Sequence, residues 1–377
     1  MKNERIYFPN LNGLRFIAAF LVIIHHIEQI KKFLNIGDSF FKVPFISIIG
    51  KLGVVLFFVL SGFLITYLLL SEEKSFKSIS IQKFYMRRIL RIWPLYFLII
   101  ILAFLVLPYI KLFEITGLGN EVVFNNLGMK LLLFAFFFPN LVLSFYGIVP
   151  YASHTWSIGT EEQFYLFWPW LLKHFKKNRI FIMLIIIVFY RLISGFLNTS
   201  FSDFLVYKKI IASIWACFNF DCMSIGGIFA VLLFQKNKFL ILLKNNFFFY
   251  FTLVLVIIMI VNGVFIPHIN YELYSILFGI IILNFASNEI MKISLENTIF
   301  NFLGNISYGL YMFHPIGIVL ALTICKSTNL ISNWFIYPLS LLLTISIAWF
   351  SYNYFEKYFL KFKPKFSKVI SGNETKL

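Results

Sequence analysis

Charge is what this chain has least of. Of 377 residues only 13% are Asp, Glu, Lys or Arg, and the 16 acidic residues are outnumbered by 33 Lys and Arg. Soluble domains carry about 25% of these four residues, and here 60% of the chain is hydrophobic, with 50 phenylalanines. A soluble globular fold is thereby excluded. Cysteine is scarce too: Cys217, Cys222 and Cys325 fall within or at the end of apolar runs. They show neither metal-ligand nor redox spacing, so a zinc site and a disulfide framework are not expected. There is no internal repeat, no low-complexity tract and no polar stretch long enough to fold by itself. The net charge of +17 is dispersed at the ends of apolar runs. It forms no aromatic-interleaved basic stripe, which speaks against a nucleic-acid partner. The first apolar run ends in His25-His26-Ile27-Glu28 with no small-x-small site, so it reads as a retained anchor helix, not a cleaved signal.

What the chain does have is long apolar runs, at about 11–30, 46–70, 92–108, 131–147, 156–172, 180–197, 210–234, 247–266, 272–288, 305–325 and 334–354. Runs of this length predict membrane-spanning helices. Lys2 and Arg5 at the start, and Lys357, Lys361, Lys363, Lys365, Lys368 and Lys376 at the end, place both ends in the cytoplasm. An even number of crossings follows. The run at 131–147 is broken by Pro139-Asn140 into halves too short to span. If it turns back as a re-entrant segment, fourteen Lys and Arg of the later loops and tail lie inside, and only Lys208, Lys209 and Lys326 lie outside. The expectation is an all-α polytopic membrane protein with about ten transmembrane helices plus one re-entrant segment, N-in and C-in. Residues 1–360 form one transmembrane domain, and 361–377 form a short basic tail.

Ionisable groups inside such runs are expensive and therefore informative. Arg15 and His26 are eleven residues apart, about 20° beyond three full helical turns, so they share one helix face with a rise of about 16 Å between them. Ser61-Gly62 ends the second run at a position suited to close helix approach. Arg88 and Arg91 are i, i+3 neighbours beside Arg87, and two guanidiniums on one face make a fork for a polyanion such as phosphate. An ordinary positive-inside anchor would have the same composition. Glu161 and Glu162 lie about two turns into the fifth run, and a carboxylate beside His26 would orient the imidazole and raise its basicity. In GNISYGLYMFHPIGI, His314 sits near mid-membrane with Tyr308 and Tyr311 on the preceding turns, and Pro315 frees the carbonyl of Tyr311. Arg191 and Asp221 lie at similar depth and are expected to form an ion pair.

These segments resemble the acyltransferase 3 family of membrane O-acyltransferases from about residue 8 to 360. LNGLRFIAAFLVIIHH is similar to its arginine–ten residues–histidine signature at Arg15 and His26. RRILRIWP is similar to its R-x-x-R motif at Arg88 and Arg91. TWSIGTEEQFYLFWP resembles its glutamate motif at Glu161, and ISYGLYMFHP its motif ending in His314. FNFDCMSIGGIFA departs from the family pattern, with Asn219 where an arginine often precedes the aspartate. No C-terminal hydrolase-like domain of the larger members is present in this sequence. The resemblance implies transfer of an acyl group, most often acetyl, from cytoplasmic acetyl-CoA or another acyl-CoA to a carbohydrate or glycoconjugate hydroxyl at a bacterial cytoplasmic membrane. It is compatible with His26 as general base, oriented by Glu161, or as the residue that takes the acyl group itself, and with Arg15 binding CoA phosphate or stabilising a developing oxyanion. Arg88 and Arg91 would hold the donor's phosphates, and His314, Tyr311 and Glu162 would support the site. No metal is implied, and assembly as a homo-oligomer is left open. The rival is a transporter or flippase for a lipid-linked saccharide, which also places Arg, His and Glu in the membrane.

Overall fold

Where no water reaches the backbone, every N–H and C=O must bond within the chain, and helices do this locally. The computed structural model describes residues 5–115, 117–288 and 292–371; Lys2 and Lys376 lie outside the described residues. In chain order its principal helices are α1 (Leu11–Leu34), α2 (Pro44–Phe76), α3 (Ile81–Ile101), α4 (Leu127–Ala135), α5 (Pro139–Tyr146), α6 (Trp156–His174), α7 (Arg179–Leu197), α8 (Lys208–Phe218), α9 (Phe220–Phe234), α10 (Asn246–Val261), α11 (Asn270–Ser287), α12 (Thr298–Asn305), α13 (Ser307–Ser327) and α14 (Asn333–Ser351). Eight helical stretches among the described residues are long and apolar enough to cross a membrane: α1, α2, α3 continued to Tyr109, α7, α8 with α9, α11, α13, and α14 continued to Leu360. The chain is therefore an all-helical polytopic membrane protein. The shorter α10 and the carboxylate-bearing α6 pack among these eight. One small extended pairing joins Arg5–Ile6 to Ile370–Ser371 in parallel.

The 131–147 run is broken where the sequence predicts. Helices α4 and α5 have nine and eight residues, about 13 Å each, against a hydrocarbon core of about 30 Å. Pro139 stands at the start of α5, where its missing N–H removes no helical bond. Gln163 of α6 closes the turn: its Nε2 donates to the Phe137 carbonyl at 2.8 Å and to Asn140 Oδ1 at 3.1 Å. Asn140, fully buried, donates back to Gln163 Oε1 at 3.2 Å. The break thus has its Phe137 carbonyl and its buried Asn140 bonded from within the protein, which a non-helical segment at membrane depth needs.

Helices α2 and α9 cross in close contact. A Cβ on Gly62 would lie 1.9 Å from the Met223 carbonyl oxygen, and one on Gly226 would lie 2.2 Å from that of Val59, so only glycine lets the backbones meet. At the upper end of the bundle, where α1 finishes, a buried latch ties α1 to α14. Lys31 Nζ donates to Glu28 Oε1 at 2.8 Å, to the Asp38 carbonyl at 2.7 Å and to Asn333 Oδ1 at 2.7 Å. Tyr337 donates to Glu28 Oε1 at 2.6 Å. The expected Arg191–Asp221 pair is not formed. Arg191 bonds Glu272 at 2.8 Å, because a left-handed residue at Asn219 (φ +38°) separates α8 from α9 and turns Asp221 toward the Glu272 carboxyl.

At the lower end, where α1 begins, Glu72 takes Arg87 at 3.2 Å, and Glu73 takes Arg179 and Lys176. Arg87 also donates to the Phe366 carbonyl at 2.8 Å. Residues 363–366 are thereby held against α3, and Lys363 is buried.

Candidate active site

Helix α6 carries the polar stripe around which the site is built. His154, in the turn just before it, and Ser157, Glu161 and Tyr165 follow one another at i, i+3, i+7 and i+11, the spacing of a single helix face. The lower part of this stripe meets Arg88 and Arg91 of α3 and Arg15 of α1. The upper part meets His26 of α1 and His314 of α13.

In the lower half, three cations approach three carboxylates without pairing. Arg15 lies in the electrostatic field of Arg91, Arg88 and Glu161. Among the described residues its hydrogen bond is to Asn12 Oδ1, at 2.9 Å. The Arg88 guanidinium stacks 5.9 Å from the Phe84 and Tyr165 rings, and its Nε is buried with no partner. Among the described residues, none of Arg15, Arg88 and Arg91 has a carboxylate oxygen within 4.0 Å. The neighbouring carboxylates are bonded to uncharged donors instead. Glu161 accepts from Ser61 at 3.0 Å and from Tyr165 at 2.7 Å. Glu162 accepts from Trp93 Nε1 at 3.0 Å, and its other oxygen is buried and free. Glu356 accepts from Ser351 at 3.2 Å and lies in the field of Arg91. Half-buried cations left without a bonded counter-ion among the described residues, next to carboxylates bonded to neutral donors, are suited to an incoming anion.

The upper half is a cluster of imidazoles. The His26 and His314 ring centroids are 4.7 Å apart, and those of His154 and His314 5.1 Å. Each ring gives one N–H to a backbone carbonyl. His26 Nδ1 donates to Val22 at 2.9 Å, His314 Nδ1 to Tyr311 at 2.6 Å and His154 Nε2 to Met312 at 3.1 Å. A carbonyl only accepts, so these bonds fix the tautomers: the lone pair of neutral His26 and of His314 is on Nε2. His314 Nε2 is buried without a partner, whereas His26 is half-buried. Tyr311 is the brace of the cluster: its hydroxyl donates to the His154 carbonyl at 2.8 Å and meets Ser157 Oγ at 2.7 Å.

The structure brings Arg15, Arg88, Arg91, Glu161 and Glu162 together, and His26, Tyr311 and His314 together, as two parts of one seam. It does not place Glu161 on His26. The Nδ1 of His26 is taken by its own helix, and Glu161 sits about 10 Å further down α6 than His154, bonded to Ser61 and Tyr165. The orientation expected from a carboxylate is supplied by the Val22 carbonyl. Tyr308 does not hold His314 either; it donates to the Ile92 carbonyl of α3 at 2.9 Å. The Tyr311 carbonyl freed by Pro315 does accept, from His314 itself. His154 and Glu356 were not anticipated from the sequence. The spacing of His154 to Ser157 and Glu161 was a readable signal; Glu356, beyond the last apolar run, had none. His25 faces α2, where its ring packs on Gly50 and its Nδ1 donates to the Ile46 carbonyl at 2.7 Å.

With this geometry in place, comparison with known proteins is direct. A family model described as an acyltransferase domain matches residues 8–353. The chain is 30% identical over 174 residues to the peptidoglycan O-acetyltransferase OatA of Listeria monocytogenes, covering 46% of this chain and 25% of that protein. It is 31% identical over 166 residues to a candidate O-acetyltransferase of Staphylococcus aureus, covering 44% and 25%. It is 31% identical over 169 residues to the candidate peptidoglycan O-acetyltransferase YrhL of Bacillus subtilis, covering 44% and 24%. The aligned stretch thus spans about a quarter of the length of these relatives. No solved structure matches the chain.

Proposed function

The chain belongs to the acyltransferase 3 family, and from that membership and the seam's geometry we propose that it moves an acetyl group from acetyl-CoA to a hydroxyl of a glycan at a bacterial cytoplasmic membrane. The lower end of the bundle faces the cytoplasm in this reading, in keeping with the positive-inside distribution and with ten crossings, N-in and C-in. Arg88 and Arg91, with Arg15 beside them, receive the CoA phosphates. The observation that carries the reading is the unpaired state of these three arginines beside carboxylates bonded to neutral donors.

The pantetheine arm then runs up the seam and presents the thioester to the imidazoles. His26 Nε2 accepts the proton of the acceptor hydroxyl as the oxygen attacks the thioester carbonyl. The carbon–sulfur bond breaks, and the thiolate takes the proton back from the imidazolium. His314 Nε2, a buried lone pair 4.7 Å away ring to ring, stabilises His26 while it is charged. The names of the relatives point to a peptidoglycan-type glycan as acceptor.

Purified protein in liposomes with acetyl-CoA and a glycan acceptor tests this. The expected outcome is release of free CoA thiol together with acetyl ester on the glycan, both dependent on the wild-type seam. Uptake of glycan without thiol release would establish the transporter instead.

A further inference from the structure

Above α3 the chain does not return directly into the membrane. The span that α3 begins ends in a π-turn at Leu102–Val106 and a single turn at Leu107–Tyr109, and a further turn at Lys111–Phe113 and a short helix at Asn120–Phe124 follow it at the upper end of the bundle. Between this segment and the Pro150–Tyr151 turn lies a cavity of about 560 Å³, within the range that holds small-molecule ligands. Its wall sets the rings of Tyr109, Phe113 and Tyr151 and the polar residues Lys111, Glu114 and Asn120 among aliphatic residues of the same segment. Neither Lys111 nor Glu114 forms an ion pair among the described residues. Tyr109 is 70% exposed.

The chemistry of the lining selects a class of ligand. A polyanion such as CoA would meet one cation offset by one carboxylate, and a lipid tail would bury three polar side chains unpaired. A neutral saccharide presents C–H faces to aromatic rings and hydroxyl edges to paired donors and acceptors, which is what this wall offers.

The cavity is also wired to the imidazoles. Tyr151 stands three residues before His154. It holds a left-handed backbone (φ +60°) that bulky residues avoid. Its hydroxyl donates to the Phe113 carbonyl at 2.5 Å, and its ring meets Phe113 edge to face at 6.0 Å. A strained residue kept in place by the covering segment thus joins the cavity wall to the turn that positions His154. On the far side, Thr323 of α13 donates to the Leu112 carbonyl at 3.2 Å. The covering segment is therefore fastened to the turn that carries His154 and to α13, which carries His314.

We infer that this cavity is the acceptor subsite, taking a short neutral stretch of glycan and delivering its hydroxyl over the Pro150–Tyr151 turn to the histidine cluster. The inference rests on the acyl-transfer reading of that cluster. Chitotetraose, a neutral oligomer of N-acetylglucosamine, is the probe. In donor-free protein, Tyr109→Ala and Asn120→Ala should each raise its Kd about tenfold. The KM for chitotetraose should rise equally, while the KM for acetyl-CoA stays within about twofold. Both side chains are exposed, so unchanged size-exclusion profiles are expected and identify a folding failure if absent. Wild-type protein that fails to bind chitotetraose, or variants that bind it as well as wild type, would overturn the subsite. If the wild type acetylates glycan but neither variant moves the acceptor KM, the subsite is wrong and acyl transfer stands. If chitotetraose binds, and the variants weaken it, but no CoA thiol is released, the subsite stands and acyl transfer falls.

Discussion

The two halves of the seam solve opposite electrostatic problems with the same scaffold. In the lower half the cations are guanidiniums, and the helices withhold their counter-ions: Glu161 is bonded by Ser61 and Tyr165, and Glu162 by Trp93. In the upper half no carboxylate among the described residues bonds the imidazoles. Each ring is fixed by one backbone carbonyl and left with one lone pair. The contrast teaches a division of labour. Fixed charge without a partner suits the retention of an anion, whereas a neutral base with a defined tautomer suits the movement of a proton. Arg87 sharpens the point within three neighbouring residues: it is the arginine that is paired, to Glu72, and it serves the Phe366 tail.

The largest effect should come from the upper half. His26→Ala removes the base and should lower kcat about a thousandfold, within the range general bases contribute, while membrane insertion is unchanged because the helix face becomes no less apolar. His25→Ala, by contrast, empties the packing against Gly50 and should lower thermal stability while leaving transfer largely intact. Near wild-type turnover in His26→Ala, or loss of transfer in His25→Ala alone, would reverse the assignment. Next come the arginines. Arg88→Ala or Arg91→Ala should raise the KM for acetyl-CoA by about ten- to a hundredfold with kcat changed less, the pattern of lost uniform binding. Lysine replacements should recover only part, since an ammonium lacks the planar fork. Arg87→Ala should leave that KM alone. Full rescue by the Arg88→Lys, Arg91→Lys double variant with an unchanged KM would reduce the fork to a topology signal and erase the contrast between the halves. The smallest effect belongs to the brace. Tyr311→Phe keeps the ring and loses the hydroxyl bonds to Ser157 and the His154 carbonyl, so kcat should fall about fivefold, about 1 kcal/mol for the two bonds together, with both KM values steady. A shift in the KM for acetyl-CoA instead would mean that the two halves are coupled through Tyr311.

The helices were legible from apolar run length, and the hairpin from Pro139-Asn140, because both depend on local chemistry: backbone satisfaction in one case, a missing N–H in the other. Arg15, His26, Arg88 and Arg91 were legible because charge inside an apolar run has few innocent explanations. What failed was pairing across helices. Glu161 was assigned to His26 from estimated depth, and Arg191 to Asp221 for the same reason. Depth fixes one coordinate, whereas partner choice depends on helix rotation and on breaks such as Asn219. Gln163 shows the same limit: nothing in its own segment announces that it closes a turn formed 26 residues earlier.

The latch between Glu28 and Lys31 has a bearing on biogenesis. Tyr337, one of its outer partners, lies 309 residues downstream of Glu28, which at about 5–20 residues per second is an interval of about 15–60 s of synthesis. Throughout that wait α1 holds an acid and a base one turn apart, at i and i+3, so each neutralises the other before any later helix arrives. The first helix can therefore enter the lipid early and remain there without a chaperoning partner, keeping its place open for the last.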